Sequence, residues 1–189
     1  MSLPALLLLP LTMFSTEPGQ TASIRTLFSF NDLDSTRNWQ AVNDGVMGGR
    51  SDGRFRINQF KNLEFFGNLS LANNGGFASV RSRGVAPNLK AGDSILLKVR
   101  GDGRDYTFNL YTPGRRTAFS YRATFKTKRN EWTEVTIPLS KLIATSFGRP
   151  VNNAPLNPSQ ISGVGILLGD KKPGGFRLEI ESIKVVTPN

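Results

Sequence analysis

The sequence contains no cysteine and no histidine. The first absence excludes disulfides, thiolate metal sites and cysteine nucleophiles. The second removes the usual general base near neutral pH, the Ser-His-Asp triad and most zinc and iron sites. Any catalysis would have to rest on carboxylates, lysines or tyrosines. Carboxylates are scarce too: 14 Asp and Glu stand against 24 Lys and Arg, for a net charge of +10 and a pI of about 10.4. These deficits argue against an enzyme and leave no basis to expect a cofactor or a bound metal. The basic surplus favours an acidic partner, whether an acidic protein face, nucleic acid or anionic headgroups.

A long hydrophobic run is also missing. Residues 3–14 are apolar, but a bilayer span needs about 20 such residues, and Pro4 and Pro10 interrupt the run. Its apolar length suits an export signal, with small residues up to Ala22 for cleavage, yet no Lys or Arg precedes Arg25. Two readings stand: a signal, which would make the protein exported, or a tail on a cytoplasmic or membrane-peripheral protein. In both, residues 1–23 stand outside the fold, and residues 24–187 are expected to form one domain. A chain of 189 residues with 38% hydrophobic and 20% charged content suits a single globular unit. Its 19 glycines and 11 prolines announce many turns.

What is present is alternation. Thr26–Phe30 opens it; Phe55 and Ile57, then Ile95, Leu97 and Val99, then Tyr106, Phe108 and Leu110 each share a face. Phe119, Tyr121, Ala123 and Phe125 repeat the pattern, and Val164, Ile166, Leu168 and the run from Phe176 to Val185 close it. Period-two patterning with one apolar face marks antiparallel strands. About ten such strands with turns between them predict an all-β antiparallel sandwich. Leu139–Thr145 is the one helical candidate, and Ser146–Pro158, with three prolines and three asparagines, reads as a loop.

Two motifs are set aside. Gly163-Val-Gly-Ile-Leu-Leu-Gly169 has its third glycine one place late for a dinucleotide fingerprint, and a strand continues where a helix should start. Gly101-Asp-Gly-Arg-Asp105 lacks calcium-loop spacing and reads as a tight hairpin turn. The carboxylates Asp44 and Glu64 are the plausible acid pair for a glycosidase, but nothing in the sequence brings them together.

The alternation leaves Thr107, Asn109 and Tyr111 opposite the core on one strand, and Ser120, Arg122 and Thr124 on the next. Joined through Pro113-Gly114-Arg115-Arg116, these strands are expected to be hairpin neighbours, with Asn109 beside Arg122. Arg81, Arg83, Lys98 and Arg100 extend the same chemistry. Arg81, Arg100, Asn109, Tyr111 and Arg122 therefore form the candidate binding face. It suits acidic side chains or a sugar ring, or is an ordinary solvated surface. Nucleic acid is disfavoured, because Tyr111 is its single aromatic.

The stretch from Trp39 to Ser51, with one of the two tryptophans, is too rich in glycine for a helix. It is expected to be a structural plug: Trp39 and Met47 cover one end of the core, Asp44 accepts backbone N–H groups, and Gly48 and Gly49 take angles closed to other residues.

That stretch, with its Val-Asn-Asp-Gly-Val-Met-Gly-Gly-Arg-Ser core, resembles the signature of the complex I intermediate-associated protein 30 family. Phe66–Ser70, Gly76–Arg81, Val99–Arg104 leading to Tyr106, Glu131-Trp132, Ile137-Pro138 and Phe176–Ile180 agree in order. The signature residues here are Trp39, Asn43, Asp44, Met47, Gly48, Gly49 and Ser51. The resemblance implies a jelly-roll sandwich of the galactose-binding-domain kind, shaped like carbohydrate-binding modules. It also implies a non-enzymatic role: mitochondrial members act as chaperones in complex I assembly, and related domains serve photosynthetic assembly. The family supplies no catalytic residues. The expectation is a monomeric binding module for a protein client of a membrane complex, with glycan binding as the alternative.

Overall fold

The computed structural model describes residues 22–31, 33–113 and 118–189. Most of the apolar segment 1–23 and most of the turn Pro113–Arg116 lie outside the described residues.

Among these residues the chain forms thirteen strands, joined by short 3-10 turns and without an α-helix. In order they are β1 (Ser23–Ser29), β2 (Trp39–Asn43), β3 (Asp52–Ile57), β4 (Leu63–Leu69), β5 (Ala78–Ser82), β6 (Ser94–Arg100) and β7 (Asp105–Tyr111). Then come β8 (Phe119–Lys126), β9 (Trp132–Pro138), β10 (Ile143–Ser146), β11 (Arg149–Pro150), β12 (Gly163–Leu168) and β13 (Gly174–Thr187). All strand pairings are antiparallel.

One sheet runs β3-β4-β13-β6-β9, with β1 also on β13; the other runs β11-β10-β8-β7-β12-β5-β2. The long β13 serves two partners on one edge, because its register breaks at a bulge between Ile180 and Ser182. Gly174–Ile180 pairs with β4, and Ser182–Thr187 pairs with β1. Between the sheets, Ile95, Leu97, Val99, Leu178, Ile180 and Val185 meet Tyr106, Phe108, Leu110, Val164, Ile166 and Leu168, all fully buried. This is the expected all-β antiparallel sandwich, since one apolar face per strand must find a second sheet to cover it.

Three local expectations are corrected. Gly101–Asp105 is not a hairpin turn: β6 and β7 lie in different sheets, so the segment crosses between them. Asp102 Oδ2 anchors the crossing, accepting the Tyr106 hydroxyl at 3.2 Å and the Arg177 N–H at 2.9 Å. Leu139–Thr145 is one 3-10 turn over Leu139–Lys141 and then β10, where Ile143 and Thr145 pair with Arg122 and Ser120 of β8. β-Branched side chains favour that extended pairing over a helix. The segment after Ser146 is not wholly loop, because β10 and β11 form a small hairpin through Phe147-Gly148.

Candidate functional site

The signature stretch is built around Asp44, whose burial is complete. Trp39–Asn43 is strand rather than loop, paired with β5, and Trp39 packs against Phe28 and Phe30 with ring centroids 5.0 and 5.9 Å away. The chain then turns, and Asp44 Oδ1 accepts the Ser51 N–H at 2.9 Å. Its Oδ2 accepts the Ser51 hydroxyl at 2.6 Å and the N–H groups of Gly76 and Phe77 at 2.6 and 3.2 Å. Burial pushes the Asp44 pKa up, but these donors outweigh it and hold the carboxyl below the usual range. Asn43 Nδ2 donates to the Gly53 carbonyl at 3.0 Å and ties the turn to β3.

The two glycines have different reasons. Gly48 lies in the left-handed region at φ 86°, ending the turn. Gly49 is small because a Cβ there would come within 2.4 Å of the Asp44 carboxyl, and one on Gly75 would meet the same group at 2.5 Å. Met47 does not cover the core: it is 55% exposed, and its neighbour Val46 is 74% exposed. With only three residues between Asp44 and the left-handed Gly48 in a single 3-10 turn, the side chains at the tip have no layer to reach.

The outer faces of the two sheets differ in charge compensation. On the six-stranded sheet, the register sets Arg56 beside Glu64, Glu64 beside Glu179, Glu179 beside Arg100 and Arg100 beside Trp132. Arg56 Nε lies 2.6 Å from Glu64, Arg177 bridges Glu64 at 2.7 Å and Glu179 at 3.2 Å, and Arg100 meets Glu179 at 2.8 Å. Burial raises the Glu179 pKa, yet the Arg100 hydrogen bond and charge and the contacts of Asn62 and Arg177 bring it below the ordinary value. Arg100 thus belongs to a neutralised ladder on the opposite sheet from Arg81, Asn109, Tyr111 and Arg122. A cleft of about 220 Å³ beside it, lined by Arg100, Asp102, Asn130, Arg177 and Glu179, is an extension of this ladder. Glu64 and Asp44 are each taken up by their own donors.

The seven-stranded sheet brings the other four together. Asn109 stands between Arg122 of β8 and Gly165 of β12, and Gly165 stands beside Arg81 of β5. Gly163 and Gly165 strip this part of the face to backbone, and Tyr111 uses the space, its ring carbon and hydroxyl 3.0 and 3.1 Å from where a Gly165 Cβ would sit. The Arg81 guanidinium lies over the Tyr111 ring, 5.1 Å from its centroid. Among the described residues the Tyr111 hydroxyl is buried without a hydrogen-bond partner, and burial raises its pKa.

Asn109 is not a surface group. It is 2% exposed, its Nδ2 donating to the Thr107 carbonyl and its Oδ1 accepting the Ser120 hydroxyl at 3.0 Å. Arg122 is half-buried, donates to the Gly148 carbonyl at 2.7 Å, and has its pKa lowered by burial. Among the described residues, Arg81, Arg83 and Arg122 meet no carboxylate: Arg81 Nε donates to Ser79 Oγ and Arg83 Nε to Gln40 Oε1, each at 3.1 Å.

Sequence reasoning missed the rim. Phe147, at the tip of the β10–β11 hairpin, has φ 47° and is 65% exposed, and Ile143, opposite Arg122 in register, is 54% exposed. Glycines alternating within the strand at 163 and 165 were the available signal for a close approach on this face.

A family model described as complex I intermediate-associated protein 30 matches residues 28–180. The curated protein "Complex I intermediate-associated protein 30, mitochondrial" of Mus musculus is 27% identical over 185 residues, 86% of this chain and 56% of that protein. The Drosophila melanogaster protein of the same name is 26% identical over 92% of this chain and 65% of its own length. The chain therefore spans a little over half to about two thirds of these relatives. Among solved structures, a family 11 carbohydrate-binding module from Clostridium thermocellum, in complex with a mixed-linked tetrasaccharide, superposes with a TM-score of 0.64 at 13% identity, covering 87% of this chain and 96% of that one. An agarase superposes with a TM-score of 0.58 at 12% identity over 88% of this chain and 25% of its own. Such distant likeness carries the sandwich fold alone.

Proposed function

Because the chain belongs to the complex I intermediate-associated protein 30 family, we propose that it is a non-enzymatic assembly factor that holds a protein client of a membrane complex, respiratory of the complex I kind or photosynthetic. The observation that carries this reading is that Arg81 and Arg122 are half-buried on the outer face of the seven-stranded sheet without a carboxylate among the described residues, while the central arginine ladder of the other sheet is paired. Arg54, Arg56, Lys98, Arg100 and Arg177 on one sheet each have a carboxylate, whereas Arg81, Arg83 and Arg122 on the other have none among the described residues. A half-buried guanidinium without a counter-charge is a complementary surface awaiting an acidic group. The paired carboxylates Glu64 and Glu179 are held by arginines, which supports binding over acid–base chemistry.

Glycan binding is the less favoured reading. The ring a sugar would stack on, Tyr111, already lies against β12 and beneath Arg81. Affinity capture from membranes of the native host, using the full chain as bait, tests the assembly role. Recovery of respiratory or photosynthetic subunits is expected; repeated capture without any such subunit overturns it.

A further inference from the structure

We propose that the outer face of the seven-stranded sheet docks an extended acidic peptide segment of the client, with two carboxylates about four residues apart held by Arg81 and Arg122 and an apolar side chain resting on Phe147 and Ile143. The inference rests on the client-binding reading above and specifies what that face recognises.

The spacing follows from the register. Arg122, Asn109, Gly165 and Arg81 stand on four successive strands, β8, β7, β12 and β5. Three strand spacings of about 4.8 Å put the two arginine positions about 14 Å apart, and an extended chain advances about 3.4 Å per residue. Four residues of extended peptide therefore span the backbone positions of the two arginines. Between the two, the Tyr111 ring lies down against Gly165 and forms the floor over which the peptide passes.

Both arginines are poised for this. Arg81 is fixed at Nε by Ser79 and by its place over Tyr111, and among the described residues neither terminal amino group has a hydrogen bond. Arg122 spends one amino group on the Gly148 carbonyl, and burial already disfavours its charge in the absence of an anion. A planar guanidinium held in one orientation suits a bidentate carboxylate.

The rim supplies the third contact. A two-residue hairpin turn with left-handed backbone at both positions favours Asn-Gly, and here it is Phe147 at φ 47° and Gly148 at φ 79°. A bulky aromatic is strained in that region, and its ring is 65% exposed and stacks on no other ring among the described residues. The turn is held against the face by the Arg122 bond to Gly148. The strain therefore has an account in binding: it keeps an aromatic beside Arg122 and Ile143. A single-stranded nucleic acid fits worse, because the one aromatic among the strands of this face is covered.

Fluorescence anisotropy with the full chain tests the proposal. The probe is a labelled synthetic peptide carrying two glutamates four residues apart, followed by leucine. Controls are the di-glutamine peptide, a version with adjacent glutamates, and a labelled oligothymidylate of equal charge. The spaced acidic peptide is expected to bind at least tenfold more tightly than every control. Arg81→Gln and Arg122→Gln should each weaken it tenfold or more while a cooperative melting transition shows each variant folded. Phe147→Asn should raise the melting temperature, by relieving the turn, while weakening the peptide. Equal binding of the oligothymidylate, or peptide affinity indifferent to both arginine variants, overturns the inference. So does Phe147→Asn binding as well as wild type. If membrane capture still recovers assembly subunits and survives Arg81→Gln/Arg122→Gln, the inference alone fails; if capture recovers none, the assembly role fails.

Discussion

The carboxylate of Asp44 reaches 32 residues along the chain to accept the backbone N–H of Gly76 at 2.6 Å. The same oxygen takes Phe77, and its companion takes Ser51, so one side chain joins the signature turn to the entry of β5. Asp44→Ala would leave three backbone N–H groups and the Ser51 hydroxyl without this acceptor and is expected to lower unfolding stability by about 3 kcal/mol, read by urea denaturation. Met47→Ala, on an exposed side chain of the same turn, should change it by less than about 0.5 kcal/mol. Equal losses at the two positions would refute this division of roles.

Acid should unfold the protein in a defined window. The pKa values of Asp44, Asp170 and Glu179 all lie below their ordinary values: burial raises each, but donors from Ser51, Gly76 and Phe77, from Arg104, and from Arg100 win. The unfolded chain then takes up protons first as pH falls, so the stabilisation is present above the unfolded pKa values of about 4 and is lost below them. With no histidine in the chain, no side chain of ordinary pKa titrates between about pH 5 and 8. Melting curves should be flat from pH 8 to about 5 and fall below about 4. A step near pH 6 to 7 would contradict this account.

The sandwich was legible because each strand has one buried face, and burial on one face imposes period two whatever the partner. Sheet membership was not legible. Arg100 and Asn109 alternate in the same sense on consecutive strands, yet the Gly101 crossing sends them to opposite sheets. Alternation says which side of its own sheet a residue faces and nothing about which sheet. Asn109 was expected at the surface and is buried, because the Ser120 hydroxyl reaches it from the neighbouring strand. The Phe147 hairpin escaped notice for a chemical reason: Phe-Gly is not the pair that announces such a turn. The role of Asp44 was readable from its place among turn residues, whereas its contact with Gly76 depends on how distant loops meet.

The Arg104–Asp170 pair should tolerate no conservative change. Arg104 Nε and Nη2 reach the two Asp170 oxygens at 3.0 and 2.7 Å, with side chains 12% and 7% exposed, and Nη1 donates to the Gly175 carbonyl at 3.2 Å. It thereby ties the β6–β7 crossing to the loop before β13. A lysine supplies one point of charge and cannot satisfy both oxygens and the carbonyls. Arg104→Lys is expected to lose about 2 kcal/mol by denaturant unfolding, whereas Arg54→Lys in the exposed pair with Asp52 should be silent.

Tyr111 offers a test in which removing a polar group helps. Its hydroxyl is buried with no partner among the described residues, so Tyr111→Phe should leave stability unchanged or raise it by about 1 kcal/mol. The glycines beneath it should behave unequally. A Cβ on Gly165 would stand 2.8 Å from the Val80 carbonyl oxygen and 3.0 Å from the Tyr111 ring, while one on Gly163 meets nothing nearer than 3.4 Å. The obstruction at Gly165 is backbone in a central strand, which cannot step aside as a flexible side chain would. Gly165→Ala should therefore destabilise by about 2 kcal/mol, and Gly163→Ala by well under half of that. If Gly165→Ala regains its stability when combined with Tyr111→Ala, the ring rather than the Val80 carbonyl is the obstacle, and the floor of this face is softer than its geometry indicates.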